Sequence, residues 1–424
     1  MNEKIYRDYI RVLEEELVPA MGCTEPIAVA YAGAKARETL GTQPDTVELA
    51  VSGNIIKNVK SVIVPNTGGR KGLVTAVAAG IAEGDASKEL EVISDVTESG
   101  IKRIDEYISN AKIEVKEADS GVPFDIQVKV SKGGESAFVR IYEKHTNIVE
   151  ISKNGEVLFE KPAVPSTEGG ADSREWMSIE GIVEFAGEAK LDDVRSVLER
   201  QIEYNIAIAE EGLNGEYGAS IGKILLKAYG DSVHNKAKAW AAAGSDARMN
   251  GCDLPVVINS GSGNQGITAS VPVIIYALEE GKSKDELLRA LLISNLVTIH
   301  LKTGIGRLSA YCGATSAGAG AGAGVCYLRG GGFKEIAHTV VNAIAINSGV
   351  ICDGAKASCA AKIASSVEAG MLGMNMYANN SQFRDGDGIV IKGVENTIRA
   401  VGKLAREGMK STDEKIIEIM LRGC

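Results

Sequence analysis

Apolar positions along residues 4–18 (KIYRDYIRVLEEELV) recur at helical spacing, and a turn holding Pro19, Gly22 and Cys23 follows. The pattern predicts a second helix from about Thr24 to Thr39, with Pro26 in its first turn, where proline is tolerated. Residues 46–52 and 60–65 read as strands around the polar turn SGNIIKN, and PNTGGRKG at 65–72 as a turn into an Ala-rich helix. From Glu89 to about Pro162 polar and apolar residues alternate instead. LEVISDV, KIEVKEA, FDIQVKV, AFVRIYE and NIVEISK are strand-like by period and β-branching, with TESGIKRIDEYISNA as a helix between the first two. Residues 163–175 (AVPSTEGGADSRE) have the Gly, Ser, Pro and acidic content of a linker. Beyond them the spacing is helical almost to the end, over 189–211, 219–229, 232–244, 266–279, 284–300, 313–328, 334–348, 356–370, 392–407 and 412–422.

The expected fold class is therefore α+β: a mostly helical body with an inserted smaller α+β sheet module. The division reads as 1–88 (first part of the body), 89–162 (module), 163–175 (linker) and 176–424 (helical domain). No chemical constellation stands out in the module, where His145 sits alone and reads as structural.

Composition narrows the classes. The chain has 424 residues, long enough for a sizeable core, and a net charge of -10 without a basic cluster. That argues against partners with phosphate backbones and against anionic membrane surfaces. The start, MNEKIYRDYI, has no apolar stretch of signal-peptide type, so a cytoplasmic protein is expected. The uncharged run Leu308 to Leu328 is mostly Gly and Ala and reads as buried core, not as a membrane span. Seven cysteines, an odd number, do not suggest a disulfide framework.

Cys312, Cys352 and Cys359 carry the main chemical candidate. They lie in YCGATSAGAGAGAGVCYLRGGG (311–332) and NSGVICDGAKASCAAK (347–362). Thiolates are the usual ligands of iron–sulfur clusters, and the surrounding Gly, Ala and Ser let backbone approach an inorganic group. Spacing alone equally fits plain buried thiols, the reading given to Cys252 and Cys326. AGAGAGAG also fits a tightly packed helix, and no G-K-S/T follows it to make a phosphate loop. Cys23, in MGCTEP (21–26), stands just before a helix N-terminus, with Thr24 as expected cap. The positive helix end is expected to lower its pKa; a buried turn cysteine is the alternative. NSGSGNQG (259–266) joins a strand to an apolar helix and suits an amino-acid carboxylate at a helix N-terminus, or else is a tight self-satisfied loop. The four histidines have no zinc-site spacing.

Taken together, MGCTEP, GSGNQG, YCGATSAG and ICDGAKASC resemble the L-cysteine desulfidase family, over essentially the whole chain. A more distant similarity is to iron–sulfur L-serine dehydratases, which have a Cys-Asp-Pro segment and a wider cysteine gap. Here Gly354 follows Cys352 and Asp353, which favours the desulfidase branch. The resemblance implies a 4Fe–4S cluster on Cys312, Cys352 and Cys359, and Cys23 as catalytic residue. It implies conversion of L-cysteine and water to pyruvate, ammonia and sulfide by an oxygen-sensitive enzyme. Asn54, Asn66, Ser262, Asn264 and Gln265 are read as the groups that hold the substrate. Cys424 resembles the C-terminal cysteine of some dehydratases and is a candidate extra cluster ligand. A small-molecule partner and a homodimer are expected. Rival readings are L-serine dehydration by the same cluster, a pyridoxal-phosphate lyase using Lys238 with GSGNQG as its Asn loop, and a non-enzymatic redox sensor.

Overall fold

The computed structural model describes residues 1–163, 174–306 and 308–422. It is α+β, as the pattern predicts. Six strands form one mixed sheet: β2 (Thr46–Val51), β3 (Lys112–Glu117), β4 (Asp125–Lys132), β5 (Glu135–Tyr142), β6 (Ile148–Lys153) and β7 (Glu156–Glu160), in the order β3-β2-β4-β5-β6-β7. Only β2 and β3 pair in parallel. Leu49 of β2 stands opposite Val115 on one side and Val128 on the other. Alternate residues Val47, Leu49 and Val51, and Ile126, Val128 and Val130, are fully buried, the period-2 signature of a sheet with one covered face. The Thr24–Leu40 helix covers that face. The open face carries a shallow cavity of about 500 Å³ lined by Gln127, Lys129, Phe138 and Arg140, with no cysteine in its lining among the described residues.

Because β2 lies between β3 and β4, the sheet is not contained within residues 89–162. Three local expectations are corrected. SGNIIKN is not a turn but the helix Gly53–Val59, which buries Ile55 and Val59. Residues 60–65 form no strand, only a bridge from Ile63 to Lys71. LEVISDV is not a strand: a 3-10 segment, Ala86–Glu91, runs into turns. Its alternate N–H groups are taken locally, from Val92 to Glu89, Ser94 to Glu91 and Val96 to Ile93, which is turn bonding and not a ladder. Leu90, Val92 and Ile93 are nonetheless buried, which is why alternation imitated a strand. β7 and the Ile179–Glu188 helix lie outside the sequence reading.

Two features place the cysteines. First, strand β1 (Pro19–Met21) pairs antiparallel with β8 (Pro255–Val257), Met21 opposite Pro255, which brings Cys23 to the 259–263 loop. Second, the Gly313–Leu328 helix is wedged between two others through its glycines. A Cβ on Gly318 would stand 2.1 Å from the Ser366 carbonyl oxygen, and one on Gly322 2.5 Å from that of Gly370. On the opposite face, Gly320 would meet Thr298 Oγ1 at 2.2 Å and Gly324 the Ala290 carbonyl at 2.9 Å. The close-packing reading of AGAGAGAG therefore holds. Position 318 meets 366 and 322 meets 370, so Gly313–Leu328 and Cys359–Ala378 run parallel and start side by side. Gly318→Ala is expected to destabilise by about 1–3 kcal/mol in a denaturant melt. Gly187→Ala, whose Cβ would meet nothing within 4 Å, is the control and should cost nothing. Among the described residues no helix is long and apolar enough to cross a membrane.

Candidate active site

Parallel packing sets Cys312, the N-cap of Gly313–Leu328, near Cys359, the first residue of Cys359–Ala378. Cys352 arrives on the intervening loop. That loop runs antiparallel to residues 310–312: Cys312 N donates to the Val350 carbonyl at 3.1 Å, Cys352 N to the Ala310 carbonyl at 2.6 Å, and Tyr311 bridges Ile351. All three thiols are half-buried. Burial, then the neighbouring Cys352 and Cys359, push the Cys312 thiol up to about 12, and burial raises Cys359 too. The setting around them is positive. Both helices turn their positive N-terminal ends this way without a side-chain cap, and Lys356 and Lys362 converge on Asp353. Burial alone would raise Asp353, but the two ammonium groups hold it at about 2. Tyr311, Thr315 and Ser316 keep buried hydroxyls without partners beside Cys312.

Three soft donors at two helix N-terminal ends, with Lys356 and Lys362 close by and unpartnered hydroxyls on Tyr311, Thr315 and Ser316, fit an iron–sulfur cluster. Among the described residues no three His, Cys, Asp or Glu side chains are set to hold a single metal ion. A cluster is a larger body, and its ligands stand further apart.

Gly354 explains the departure from Cys-Asp-Pro. Its φ is +90°, which proline cannot adopt, and a Cβ there would stand 2.4 Å from the Lys57 carbonyl. Lys57, itself buried, donates to the Cys352 carbonyl at 3.5 Å and pairs with Asp413 at 2.5 Å, tying the Lys410–Arg422 helix to this loop. Gly354→Ala forces the loop off its seat, with backbone strain of about 1–3 kcal/mol. Iron content and melting temperature of anaerobically purified protein are expected to fall together.

Cys23 is 2% exposed and packs with Val62 and Met249 in an apolar cluster that Ala355 and Cys359 join. So the structure brings Cys23 into one apolar cluster with Cys359. Cys23 itself is the N-cap of Thr24–Leu40, while Thr24 Oγ1 donates to the Gly261 carbonyl at 2.9 Å. The expected lowering of the Cys23 pKa is corrected. Burial, then the Glu25 carboxylate, push the thiol well up, outweighing Arg248 and the helix end. The thiol donates to Glu25 Oε2 at 3.1 Å. Glu25 Oε1 accepts from Asn58 Nδ2 at 3.2 Å and faces His145 Nε2 at 3.9 Å. Burial would raise the Glu25 carboxyl, but His145 and the Cys23 thiol hold it down at about 2.

The substrate-binding candidates separate. Asn264 Oδ1 and Gln265 Oε1 are buried without partners, and Gln265 lies against Gly313, whose Cβ would stand 2.6 Å from Gln265 Cδ. Ser262 is the N-cap of Gly263–Glu279 and its side chain makes no cap bond. The loop is braced from behind: Asn259 Nδ2 donates to Asn295 Oδ1, which also accepts from Gln201. Asn54 is buried in the first turn of Gly53–Val59. Asn66 is committed elsewhere, its amide donating to the Ile93 and Ser94 carbonyls at 2.9 and 3.2 Å. Lys238 pairs with Glu368 at 2.7 Å. Cys252 and Cys326 are buried, at 4% and 5% exposure. Cys424 lies outside the described residues. The sequence reading missed Glu25, Asn58, His145 and Arg248. Two charges, Asp246 and Arg248, in an otherwise Ala-rich helix, AAAGSDARM, were the available signal for the last.

Cys312, Cys352 and Cys359 thus meet at two helix starts, and Cys23 with its partner Glu25 shares an apolar cluster with Cys359. The chain belongs to the serine dehydratase alpha chain family, whose profile matches residues 87–418. It is 56% identical over 422 residues to a UPF0597 protein of Desulfitobacterium hafniense (strain Y51), covering 100% of this chain and 98% of that one. UPF0597 proteins of Lachnoclostridium phytofermentans and Treponema denticola are 48% and 44% identical, covering 98% and 100% of this chain and 100% and 99% of theirs.

Proposed function

We propose that this chain is an L-cysteine desulfidase, eliminating sulfide from L-cysteine to give pyruvate, ammonia and hydrogen sulfide. The observation that carries the reading is the convergence of Cys312, Cys352 and Cys359 at two parallel helix starts, with Cys23 in the same apolar cluster as Cys359. Cys312, Cys352 and Cys359 would hold the 4Fe–4S cluster. When bound, it supplies a Lewis acid at the iron without a cysteine ligand, which makes the substrate sulfur a better leaving group.

The remaining work falls to the chain. Cys23 takes the α-proton. Its thiol donates to Glu25 Oε2, which fixes where the sulfur points, and the thiol must lose its proton before it acts as the base. Asn58 and His145 hold Glu25 in place. The unpartnered amide oxygens of Asn264 and Gln265 accept from the substrate ammonium, with Ser262 at the same helix start and Asn54 as a further candidate contact. Elimination gives aminoacrylate, which hydrolyses in water to pyruvate and ammonia. Held by only three cysteines, such a cluster would be sensitive to oxygen, in keeping with a cytoplasmic enzyme.

L-serine dehydration is the second reading, supported by the family match. Iron and acid-labile sulfide are to be measured on anaerobically purified protein, with L-cysteine and L-serine assayed side by side. Serine turnover well above cysteine turnover would overturn the desulfidase assignment. An aldimine absorption band without iron would decide for pyridoxal phosphate, against which the Lys238–Glu368 pair already argues.

A further inference from the structure

Arg248 lies in the last turn of the Val233–Met249 helix and is 2% exposed. Its guanidinium is charged at any working pH. Yet no Asp or Glu pairs with it among the described residues, and its Nε is buried without an acceptor. An unpaired buried cation is among the costliest features a fold can keep.

A second positive feature lies against it. A Cβ on Gly263 would stand 2.3 Å from Arg248 Nε and 2.7 Å from Cζ, so the guanidinium rests on the first residue of Gly263–Glu279. That helix start has no side-chain cap, and its free N–H groups carry the positive end of the helix dipole. Guanidinium and helix end thus meet as two positive features side by side. The place is central: Met249, the next residue, packs on Cys23, and Gln265, two residues past Gly263, packs on Gly313 beside Cys312.

We infer that Arg248 and the N-terminus at Gly263 form the seat of the substrate carboxylate, so that Arg248 restricts the site to carboxylate-bearing amines. The guanidinium offers its planar fork to the two carboxylate oxygens, as a lysine cannot. The amide oxygens of Asn264 and Gln265 then face the ammonium on the same carbon. The inference rests on the desulfidase reading only for which amino acid is used.

The test uses three small molecules without a β leaving group: L-alanine, propionate and ethylamine. Dissociation constants are measured by calorimetry on the anaerobic holoenzyme, as wild type, Arg248→Met and Arg248→Lys. Wild type is expected to bind L-alanine and propionate and to bind ethylamine far more weakly. Arg248→Met should bind both carboxylates about ten- to a hundredfold more weakly, the scale of losing charge-assisted hydrogen bonds. Its ligand-free melting temperature should not fall, since an unpaired charge has been removed. If Arg248→Met does not fold, Arg248→Lys decides, with L-alanine binding expected to weaken at least several-fold. Unchanged L-alanine binding in either folded variant, ethylamine binding as tight as L-alanine, or no L-alanine binding to wild type overturns the inference. Sulfide release from L-cysteine is measured separately, so absent turnover with intact L-alanine binding would sink the desulfidase reading and leave the carboxylate seat standing.

Discussion

Cys23→Ser, purified without oxygen, is expected to keep its full iron and acid-labile sulfide and to form pyruvate from L-cysteine about 10²- to 10⁴-fold more slowly, the scale of a lost acid–base group. The serine hydroxyl fits the same buried space but does not ionise to a usable base. The proposed ligands Cys312, Cys352 and Cys359 are unchanged in this variant, and Cys23 shares with Cys359 an apolar cluster. Loss of iron in this variant would instead make Cys23 a ligand. Glu25→Gln should act in the same direction by a smaller factor. The amide can still accept the thiol's hydrogen bond but lacks the carboxylate charge that faces His145 and fixes the pair. Both variants are checked by pairing iron analysis with initial rates on one preparation.

Cys312→Ala, Cys352→Ala and Cys359→Ala should each purify colourless, with iron near background and no turnover. The three positions are not interchangeable with the other thiols. Cys252 sits beyond the end of the Val233–Met249 helix, and Cys326 near the far end of the Gly313–Leu328 helix. Cys252→Ala and Cys326→Ala are therefore expected to keep both iron and activity. Iron retained at wild-type level in any of the first three variants would remove that cysteine from the ligand set.

The second half of the fold was legible because its helices are long and their apolar spacing is regular. The segments at 313–328 and 284–300 match the helices Gly313–Leu328 and Lys284–Ile305 closely. The first half misled where burial and backbone geometry part company. Leu90, Val92 and Ile93 are buried from a chain of turns, which gives the same alternation as a strand. The thiols were legible because small residues surround them. The polar partners were not, because contact and not spacing assembles them. His145 reaches Glu25 from the turn between β5 and β6, across 120 residues of chain, and alone in its segment it looked structural. The acidity of Cys23 was misjudged for a related reason. A helix end can be read from MGCTEP, but the depth at which the thiol is buried cannot.

The contacts between Gly318, Gly322, Ser366 and Gly370 bear on how this protein can change over time. A side chain that collides with another side chain can be accommodated by a second mutation that shortens the neighbour. At these positions the obstacle is a carbonyl group, which no codon can remove. Each glycine is thus locked without a compensating partner, and drift here must be slower than at positions of equal burial elsewhere in the chain. The alignment of the two helices that present Cys312 and Cys359 is therefore protected by residues with no side chains at all, whatever reaction the lineage goes on to catalyse.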